Sequence, residues 1–254
     1  MKRSFVVIIL FYFIAHFSLS QEVWRIKRCE AIAGIGTTQF FGDIGGFSKT
    51  ENILGFKDIS VLQTRFNIDL GFKYKIMKDL NVRLNLVYGM LHATDNRGSN
   101  EYRNYDARTS IFEPTVIGEY YFIKSRLGDS YLFSAGKKTN IRRVFAALEF
   151  YAFTGIGGLS YNVKGNDNLV ARGLKNKGFT AVIPAGFGTN ILFQPDYNLG
   201  LEIGGRYAFS DYLDGYTSQY SSSNDVYYFL TFTFTYKIRT NSKGVPLFLG
   251  RRRY

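Results

Sequence analysis

The residues between Arg65 and Met90 alternate polar and apolar side chains with a period of two, interrupted only by the short segment 77–79. Successive side chains of a β-strand point to opposite faces, so each half of this stretch carries one polar and one apolar face. Each half is about as long as the roughly 9 to 11 residues that a membrane-spanning strand needs. Tyrosines lie near the ends of the apolar faces, as in the aromatic girdles of outer-membrane barrels. The stretch therefore predicts a hairpin that crosses a membrane.

The first 20 residues have the features of a secretory signal peptide. Two basic residues precede the apolar run 5–14, and a small-x-small cleavage site ends at Ser20. The apolar run is shorter than the roughly 20 residues of a spanning helix, so it is not expected to anchor the chain. We therefore predict a signal peptide over 1–20, a barrel domain over 21–238 and a basic tail over 239–254.

Eight segments of the chain have the composition and alternation of strands. They are residues 30–41, 62–76, 80–92, 111–122, 144–157, 179–193, 198–209 and 225–238. An even number of antiparallel strands can close into a barrel, and closure removes the unpaired strand edges that lipid cannot satisfy. The sequence therefore predicts an all-β fold, an eight-stranded antiparallel transmembrane β-barrel of the outer-membrane type.

The lengths of the connections predict how the barrel is oriented, because outer-membrane barrels have short periplasmic turns and long external loops. The short turns at 77–79 and 194–197 are assigned to the periplasm, together with the N- and C-termini. The long segments assigned to the outside are 42–61, 93–110, 158–178 and 210–224. The connection 123–143 is the exception, since it is long and lies on the predicted periplasmic side.

Charged residues of both signs fall on the faces that the alternation assigns to the lumen. The residues predicted to form a lumen network are Arg65, Asp69, Arg83, Glu113, Glu149, Glu202 and Arg206, and Lys73, Glu119 and Lys237 lie on the same faces. The interior of an eight-stranded barrel is only wide enough for side chains, and buried charges need partners. A network that plugs the barrel is the first hypothesis, and a conductive pore or catalysis in the lumen are the alternatives.

The sequence lacks the signatures of common catalytic and cofactor sites. His92 is the one histidine of the predicted mature chain, and a serine-histidine-acid arrangement could be imagined around it, but no motif places a serine. There is no histidine-cysteine cluster for zinc and no phosphate-binding or dinucleotide-binding motif. We expect a protein that is not an enzyme and has no cofactor, no metal and no small-molecule substrate. Cys29 is the single cysteine of the sequence, so an internal disulfide is excluded. It is either a buried or free thiol or part of an intermolecular bridge.

Eight aspartates lie in or beside the predicted external loops. They are Asp43, Asp58, Asp95, Asp106, Asp167, Asp211, Asp214 and Asp225. Such residues could bind calcium, although scattered loop aspartates more often cap turns.

Positive charge is concentrated on the predicted periplasmic side. Without Lys2 and Arg3 the formal charge of +12 becomes +10. The connection 123–143 has six basic residues and one acidic residue, and the tail 239–254 has five basic residues and no acidic residue. Two partners fit this charge: anionic headgroups of the inner leaflet, or an acidic periplasmic protein. We expect no nucleic-acid partner for an exported barrel. The candidate partner-binding residues are Lys124, Arg126, Lys137, Lys138, Arg142, Arg143, Arg251, Arg252 and Arg253.

Two loop sequences carry a resemblance to a known family. Phe-Phe-Gly-Asp-Ile-Gly at 40–45 is similar to the Tyr-Phe-Gly-Asp-Leu-Asn type of motif that ends the first strand in PorG-like proteins of the Bacteroidota type IX secretion system. Ser-Asp-Tyr-Leu-Asp-Gly at 210–215 resembles their Thr-Asp-Tyr-Leu-Asp-Asp signature after the seventh strand. Glycine-rich segments at 153–158 and 183–188 fall between them in the expected order. The motif residues singled out are Gly42, Asp43, Asp211, Tyr212, Leu213 and Asp214.

The resemblance implies a barrel that is not an enzyme and that helps to tie a periplasmic ring of PorK- and PorN-like subunits to the outer membrane. The functional hypothesis is therefore an outer-membrane component of type IX protein secretion, which contacts outer-membrane lipid and docks ring subunits through its basic periplasmic side. The alternative is a structural or ligand-binding barrel similar to OmpA or OmpX.

Overall fold

A computed structural model describes residues 27–45, 60–96, 100–125, 141–217, 224–241 and 245–247. The predicted signal peptide lies outside the described residues. The same is true of six candidate partner-binding residues, which are Arg126, Lys137, Lys138, Arg251, Arg252 and Arg253.

Eight strands account for most of the described chain. They are β1 (Cys29–Phe41), β2 (Arg65–Lys75), β3 (Leu80–Thr94), β4 (Asp106–Ile123), β5 (Leu148–Gly165), β6 (Lys177–Gln194), β7 (Tyr197–Ala208) and β8 (Val226–Ile238). Each strand pairs antiparallel with the next, and β1 pairs with β8, which closes the sheet. The predicted all-β, eight-stranded antiparallel barrel is confirmed.

Short helical segments occupy some of the connections. Helix α1 (Ile141–Ala147) precedes β5, helix α2 (Asp167–Gly173) joins β5 to β6, and single 3-10 turns occur at Val61–Gln63 and Glu101–Arg103. Among the described residues, no helix is both long and apolar enough to cross a bilayer.

Several predicted strand boundaries were wrong. Strand β4 begins at Asp106 rather than at 111, and β5 extends through residues 158–165 of the predicted external loop 158–178, with β6 beginning at Lys177. The strands continue because Arg108 pairs with Lys164 and Asn162 pairs with Lys177. Conversely, 144–147, which was assigned to the fifth strand, is helical in α1.

The two ends of the barrel differ in their connections. One end, here called the turn end, carries the short connections around Asp79 and Asp196, the start of β1 and the end of β8. The opposite end, here called the loop end, carries the connections β1–β2, β3–β4, β5–β6 and β7–β8. Helix α1 lies on the chain between β4 and β5, on the turn-end side.

Apolar side chains cover the outer surface of the barrel. The exposed apolar residues include Ile35, Phe66, Ile68, Leu70, Phe72, Leu84, Leu86, Tyr88, Phe112, Val116, Phe187, Ile203 and Phe232. Charged residues such as Lys73, Arg83 and Glu119 are instead buried inside. This reversal of a soluble protein's distribution is the arrangement of a barrel that faces lipid with its outer wall.

The interior has two layers of different chemistry. The layer toward the turn end contains the buried charged residues Lys73, Arg83, Glu119 and Glu202. The layer toward the loop end is an apolar core in which Val87, Leu91, Leu159 and Phe229 pack together. Val87 and Leu91 are apolar residues on the otherwise polar inward face of β3, because their side chains belong to this apolar layer.

The seam between β1 and β8 includes one very close approach of the two backbones. A Cβ atom at Gly36 would lie 2.2 Å from the carbonyl oxygen of Leu230 and 2.7 Å from the Cα of Thr231. Gly118 on β4 is a matched contrast, since the nearest atom to its Cβ position is 3.8 Å away. The strands at the seam therefore depend on glycine, whereas those at Gly118 do not.

We expect Gly36→Ala to destabilise the barrel by about 1 to 3 kcal/mol, the usual cost of overpacking, because the closing strands must move apart. Gly118→Ala should be close to neutral. The measurement is the temperature at which the compact form of the detergent-solubilised protein is lost on unboiled gels. Equal midpoints for the two variants would contradict the account of the seam.

Candidate functional site

Four buried ionic side chains form the centre of the lumen network. The Arg83 guanidinium donates to both carboxylate oxygens of Glu202, at 2.5 and 2.9 Å, and its Nε lies 3.2 Å from Oε1 of Glu119. The Lys73 ammonium lies 2.7 Å from Oε2 of Glu119. Two cations thus face two carboxylates, and this balance is what allows all four to be buried away from water.

The other predicted lumen residues surround this centre. Asp69 accepts a hydrogen bond from the Asn85 amide at 3.1 Å. Glu113 is fully buried, and Nε of Arg206 lies 3.8 Å from its Oε1. Glu149 is half-buried near the turn end, where a small cavity is lined by this carboxylate together with Lys75 and Lys237, among others.

Arg65 does not join the lumen network. It is the first residue of β2, at the loop end, and its guanidinium donates to the carbonyl oxygens of Leu62 and Thr64 and contacts Nδ1 of His92 at 2.7 Å. The alternation placed it on the inward face, but a long side chain at a strand end can turn to nearer acceptors. The prediction of a lumen role for Arg65 was wrong.

His92 has both ring nitrogens occupied. Arginine can only donate, so Nδ1 accepts from Arg65 and Nε2 carries the proton that it donates to Asp106 at 2.9 Å. Neither nitrogen is left to take a proton from a serine hydroxyl. The arrangement holds Arg65 in place and does not resemble a nucleophilic triad.

Three buried tyrosines belong to the lumen network and were missed from the sequence. Tyr151 donates to Glu202 at 2.5 Å, Tyr227 donates to Glu113 at 2.5 Å, and the Tyr121 hydroxyl accepts from Lys73 at 3.2 Å. Tyrosines were expected in the girdle of the outer wall. The available signal was position within the strand, since Tyr121 lies two residues from Glu119, Tyr151 two residues from Glu149, and Tyr227 ten residues from Lys237 on the same strand.

Removing Arg83 should be the most damaging single change in the lumen. Arg83→Met leaves Glu119 and Glu202 buried beside a single ammonium group, and breaking a buried ion pair costs about 3 to 5 kcal/mol. Arg172→Met, an exposed change on α2, is the control with the same substitution. The urea midpoint for loss of the compact gel form measures both. A lumen variant as stable as the control would show that the ion pairs are not needed for stability.

The family-motif residues meet at the loop end in a group of hydrogen bonds, here called the loop-end cap. Oδ2 of Asp214 accepts from the backbone N–H groups of Asp43 and Ile44, each at 3.1 Å, and its Oδ1 accepts from Tyr216 at 3.0 Å. Asp225 accepts from the backbone N–H of Leu213 at 2.8 Å. The first and last connections of the barrel are thereby joined.

The remaining motif residues also serve the loop-end cap. Asp211 accepts a hydrogen bond from the Thr217 hydroxyl. Leu213 is fully buried in the apolar layer, and Tyr212 packs against that layer with the Lys175 ammonium 4.2 Å from its ring centroid. A Cβ atom at Gly42 would lie 2.8 Å from a carboxylate oxygen of Asp225, so glycine leaves room for that carboxylate.

The Asp95 carboxylate joins the β3–β4 connection to the β1–β2 connection. It accepts from the backbone N–H of Gly45 at 2.9 Å and from the Arg103 guanidinium at 2.9 and 3.1 Å. Arg103 also donates to the carbonyl oxygen of Asp43 at 3.0 Å. Asp95 and Arg103 were not predicted as partners, because no short-range pattern connects them to residues 43–45.

Two glycines of the loop-end cap adopt left-handed backbone conformations, Gly45 with φ of 81° and Gly215 with φ of 78°. These are the positions at which the PorG-like motifs have asparagine and aspartate. Asparagine and aspartate are the residues other than glycine that best tolerate this conformation. Glycine at 45 and 215 therefore suits the backbone conformation that both positions adopt.

The carboxylates of the loop-end cap are engaged with the protein itself. Within the described parts of the chain, no group of three or more histidine, cysteine, aspartate or glutamate residues is arranged to hold a metal ion. The carboxylates of Asp95, Asp214 and Asp225 accept hydrogen bonds from backbone N–H groups of the connections. Asp58 lies outside the described residues.

Burial raises the pKa of two carboxyls of the loop-end cap, to about 7 for Asp214 and about 9 for Asp225. The charge of Asp214 also raises the pKa of Asp225, while the backbone hydrogen bond from Leu213 lowers it. In an open cap both groups return to an ordinary pKa of about 4. The folded cap thus binds more protons than the open one between about pH 4 and pH 9, and its stability falls as the pH rises through that window.

We expect amide exchange at Leu213 and Ile44, corrected for intrinsic rates, to gain protection as the pH is lowered from 9 to 5. Asp214→Asn should flatten this dependence, because the amide stays neutral; its oxygen can still accept from Asp43 and Ile44, although its NH2 group cannot accept from Tyr216. Asp167→Asn, an exposed change on α2, is the control and should keep the dependence of the native chain. A variant at 214 with the native slope would contradict the assignment.

The described basic residues at the turn end are partly paired. Lys124 lies 2.8 Å from Asp79, and Lys27 is hydrogen-bonded to Asp196, which holds the pKa of that carboxyl below its usual range. Arg142 is exposed on α1, and Arg143 beside it is half-buried. Lys124, Arg142 and Arg143 are thus the described members of the predicted partner-binding set.

A cleft opens at the loop end beside the loop-end cap. Its volume is about 920 Å³, and its lining includes Tyr102, Arg103, Tyr105, Arg172, Tyr212 and Tyr216. The Arg103 guanidinium lies 5.3 Å from the ring of Tyr105 and 5.6 Å from the ring of Tyr216. Both distances are those of cation–π contacts.

Comparison with known proteins finds outer-membrane barrels among the solved structures. Neisserial surface protein A is 10% identical with a TM-score of 0.42, covering 82% of this chain and 95% of that chain. Ail of Yersinia pestis is 13% identical with a TM-score of 0.37, covering 83% and 98%. Outer membrane protein W of E. coli is 16% identical with a TM-score of 0.39, covering 83% and 97%. No family model and no curated protein matches the chain.

At this level of similarity, the likeness has no bearing on activity. The assignment of the fold depends on the strand pairing and the apolar outer wall of the chain itself.

Proposed function

We propose that this barrel is an outer-membrane component of the type IX protein secretion machinery and that it links a periplasmic ring complex to the outer membrane. In this proposal the turn end and both termini face the periplasm, and the loop end faces outside. The observation that carries the proposal is a difference between the charged residues at the two ends of the barrel. The motif carboxylates at the loop end are hydrogen-bonded within the chain. At the turn end Arg142 on α1 is exposed, and the tail 239–254 adds five basic residues and no acidic residue.

The resemblance to PorG-like proteins supports the same assignment. Its two motifs lie in the first and last connections, and their residues make the loop-end cap through Asp43 and Asp214. Residues used to build the protein are poor candidates for docking, so the partner surface is assigned to the opposite end. Positive charge there suits an acidic partner, because complementary charge speeds docking and selects among partners.

We expect ring subunits of the PorK and PorN type to co-purify with the tagged full-length protein from detergent extracts. Removing Arg251, Arg252 and Arg253, or changing Arg142→Gln together with Lys124→Gln, should reduce their recovery several-fold, more so at higher salt. The matched control is Arg172→Gln together with Lys175→Gln, which removes two charges at the loop end and should leave recovery unchanged.

Absence of ring subunits from the preparation of the intact protein would overturn the proposal. Loss of type IX secretion in a deletion strain with normal envelope integrity is the expected cellular result. Inner-leaflet lipid is the other partner that fits the basic side; if the same variants lose anionic lipid but keep the ring subunits, the charge serves the membrane.

The alternative function is a structural or ligand-binding outer-membrane barrel similar to OmpA or OmpX. The observation that favours it is the tyrosine-lined cleft beside the loop-end cap, whose size falls within the range of small-molecule sites. An intact barrel in the outer membrane that co-purifies with no periplasmic protein would favour this alternative.

A further inference from the structure

A row of basic side chains runs across the outer wall of the barrel at the loop end. Strand pairing aligns part of it: His92 pairs with Arg108, and Arg108 pairs with Lys164 on the next strand. Lys177 pairs with Asn162, which is on the same face of β5 as Lys164, and the Arg65 side chain joins the row through its contact with Nδ1 of His92. Paired residues of neighbouring antiparallel strands point to the same side of the sheet. The residues of this row, here called the basic stripe, are Arg65, His92, Asp106, Arg108, Lys164 and Lys177.

Three basic side chains of the stripe are open to the surroundings of the barrel, whereas Arg65 is half-buried and His92 is buried. The Arg108 side chain is 72% exposed, and Lys164 and Lys177 are also exposed. Inward neighbours on the same strands, including Ala107 and Val163, are buried in the apolar layer. Arg108, Lys164 and Lys177 therefore face away from the lumen.

Positive charge dominates the basic stripe. Arg65, Arg108, Lys164 and Lys177 carry positive charge, and Asp106 is the one carboxylate among its residues. The Asp106 carboxylate contacts two of these side chains. Its Oδ2 lies 2.9 Å from Nε2 of His92, and its Oδ1 lies 3.7 Å from Nε of Arg108. Like charges directly opposite each other on neighbouring strands are destabilising. An anion bound between Arg108 and Lys164 would therefore relieve their mutual repulsion.

The basic stripe lies directly above the apolar wall. Two to four residues toward the turn end on the same strands, Tyr88, Phe112 and Phe179 are large and exposed. Aromatic residues of this kind mark the boundary between acyl chains and headgroups. The stripe is therefore at the level where lipid headgroups contact the barrel.

We propose that the basic stripe binds the phosphate groups of an anionic glycolipid in the outer leaflet, with its acyl chains against the aromatic wall below. Arginine recognises phosphate through paired N–H donors, and lysine adds a point charge. His92 is a positioning residue, because it holds Arg65 on one side and Asp106 on the other. This proposal rests on the location and orientation given under the proposed function, and not on the secretion role.

The test compares two lipids that differ only in phosphate. The purified full-length protein is placed in nanodiscs of phosphatidylcholine that contain an equal fraction of either bisphosphorylated or dephosphorylated lipid A. Native mass spectrometry of the released protein counts the bound lipid A molecules. We expect the native chain to retain the phosphorylated form preferentially, and Arg108→Gln with Lys164→Gln to reduce its apparent affinity by about tenfold or more.

Arg172→Gln with Lys175→Gln is the control, since it removes the same number of positive charges from the loop end outside the basic stripe. Unboiled gels verify that each variant is folded. Equal retention of the two lipids, or equal retention by the stripe variant and the control, would overturn the proposal. A soluble phosphorylated or sulfated glycan that binds as tightly as the lipid would also overturn it, in favour of a glycan ligand.

Orientation is tested separately, so that the two proposals can fail independently. In a Cys29→Ser background, Lys175→Cys should react with a membrane-impermeant thiol reagent in intact cells. If it does not, the loop end is not outside and both proposals fail. If it reacts and no ring subunit is recovered, only the secretion role fails.

Discussion

The pairing of β1 with β8 is the constraint on which the rest of the structure depends. Residues Cys29–Phe41 pair with Val226–Ile238 along the full length of both strands, so the sheet has no open edge. An unpaired backbone group in lipid costs several kcal/mol, and closure is the way a sheet avoids that cost. In a closed barrel in lipid, apolar side chains lie on the outer wall and polar side chains lie inside. The interior is narrow, so buried charges such as Arg83 and Glu202 must pair with each other.

Fold class was predictable because the outer wall is apolar and the lumen face is polar where the strands meet lipid. The same rule explains the errors in β5 and β6. Beyond the lipid-facing zone the outward residues Ser160, Asn162 and Lys164 are polar, while Leu159 and Val163 face an apolar interior. The alternation is reversed there, so the expectation of an apolar outward face predicted that these strands end before they do.

The candidate site was predictable only in part. Position within the strand identified Asp69, Arg83 and Glu202 as lumen residues, but it could not show that Arg83 reaches across the barrel from β3 to Glu202 on β7. Such pairings are set by the shape of the closed interior and not by neighbouring strands. Arg65 shows the opposite failure, because a strand-end residue has backbone carbonyls within reach that outweigh its nominal face.

The loop-end cap joins residues that are far apart along the chain. Asp214 accepts from backbone amides 171 and 170 residues earlier, and Arg83 contacts Glu202 across 119 residues. Contacts of such separation add little until the intervening strands have been ordered. The cap can therefore form only when the last strands have met the first, which makes protection of the Ile44 amide a molecular marker of a barrel whose insertion has finished.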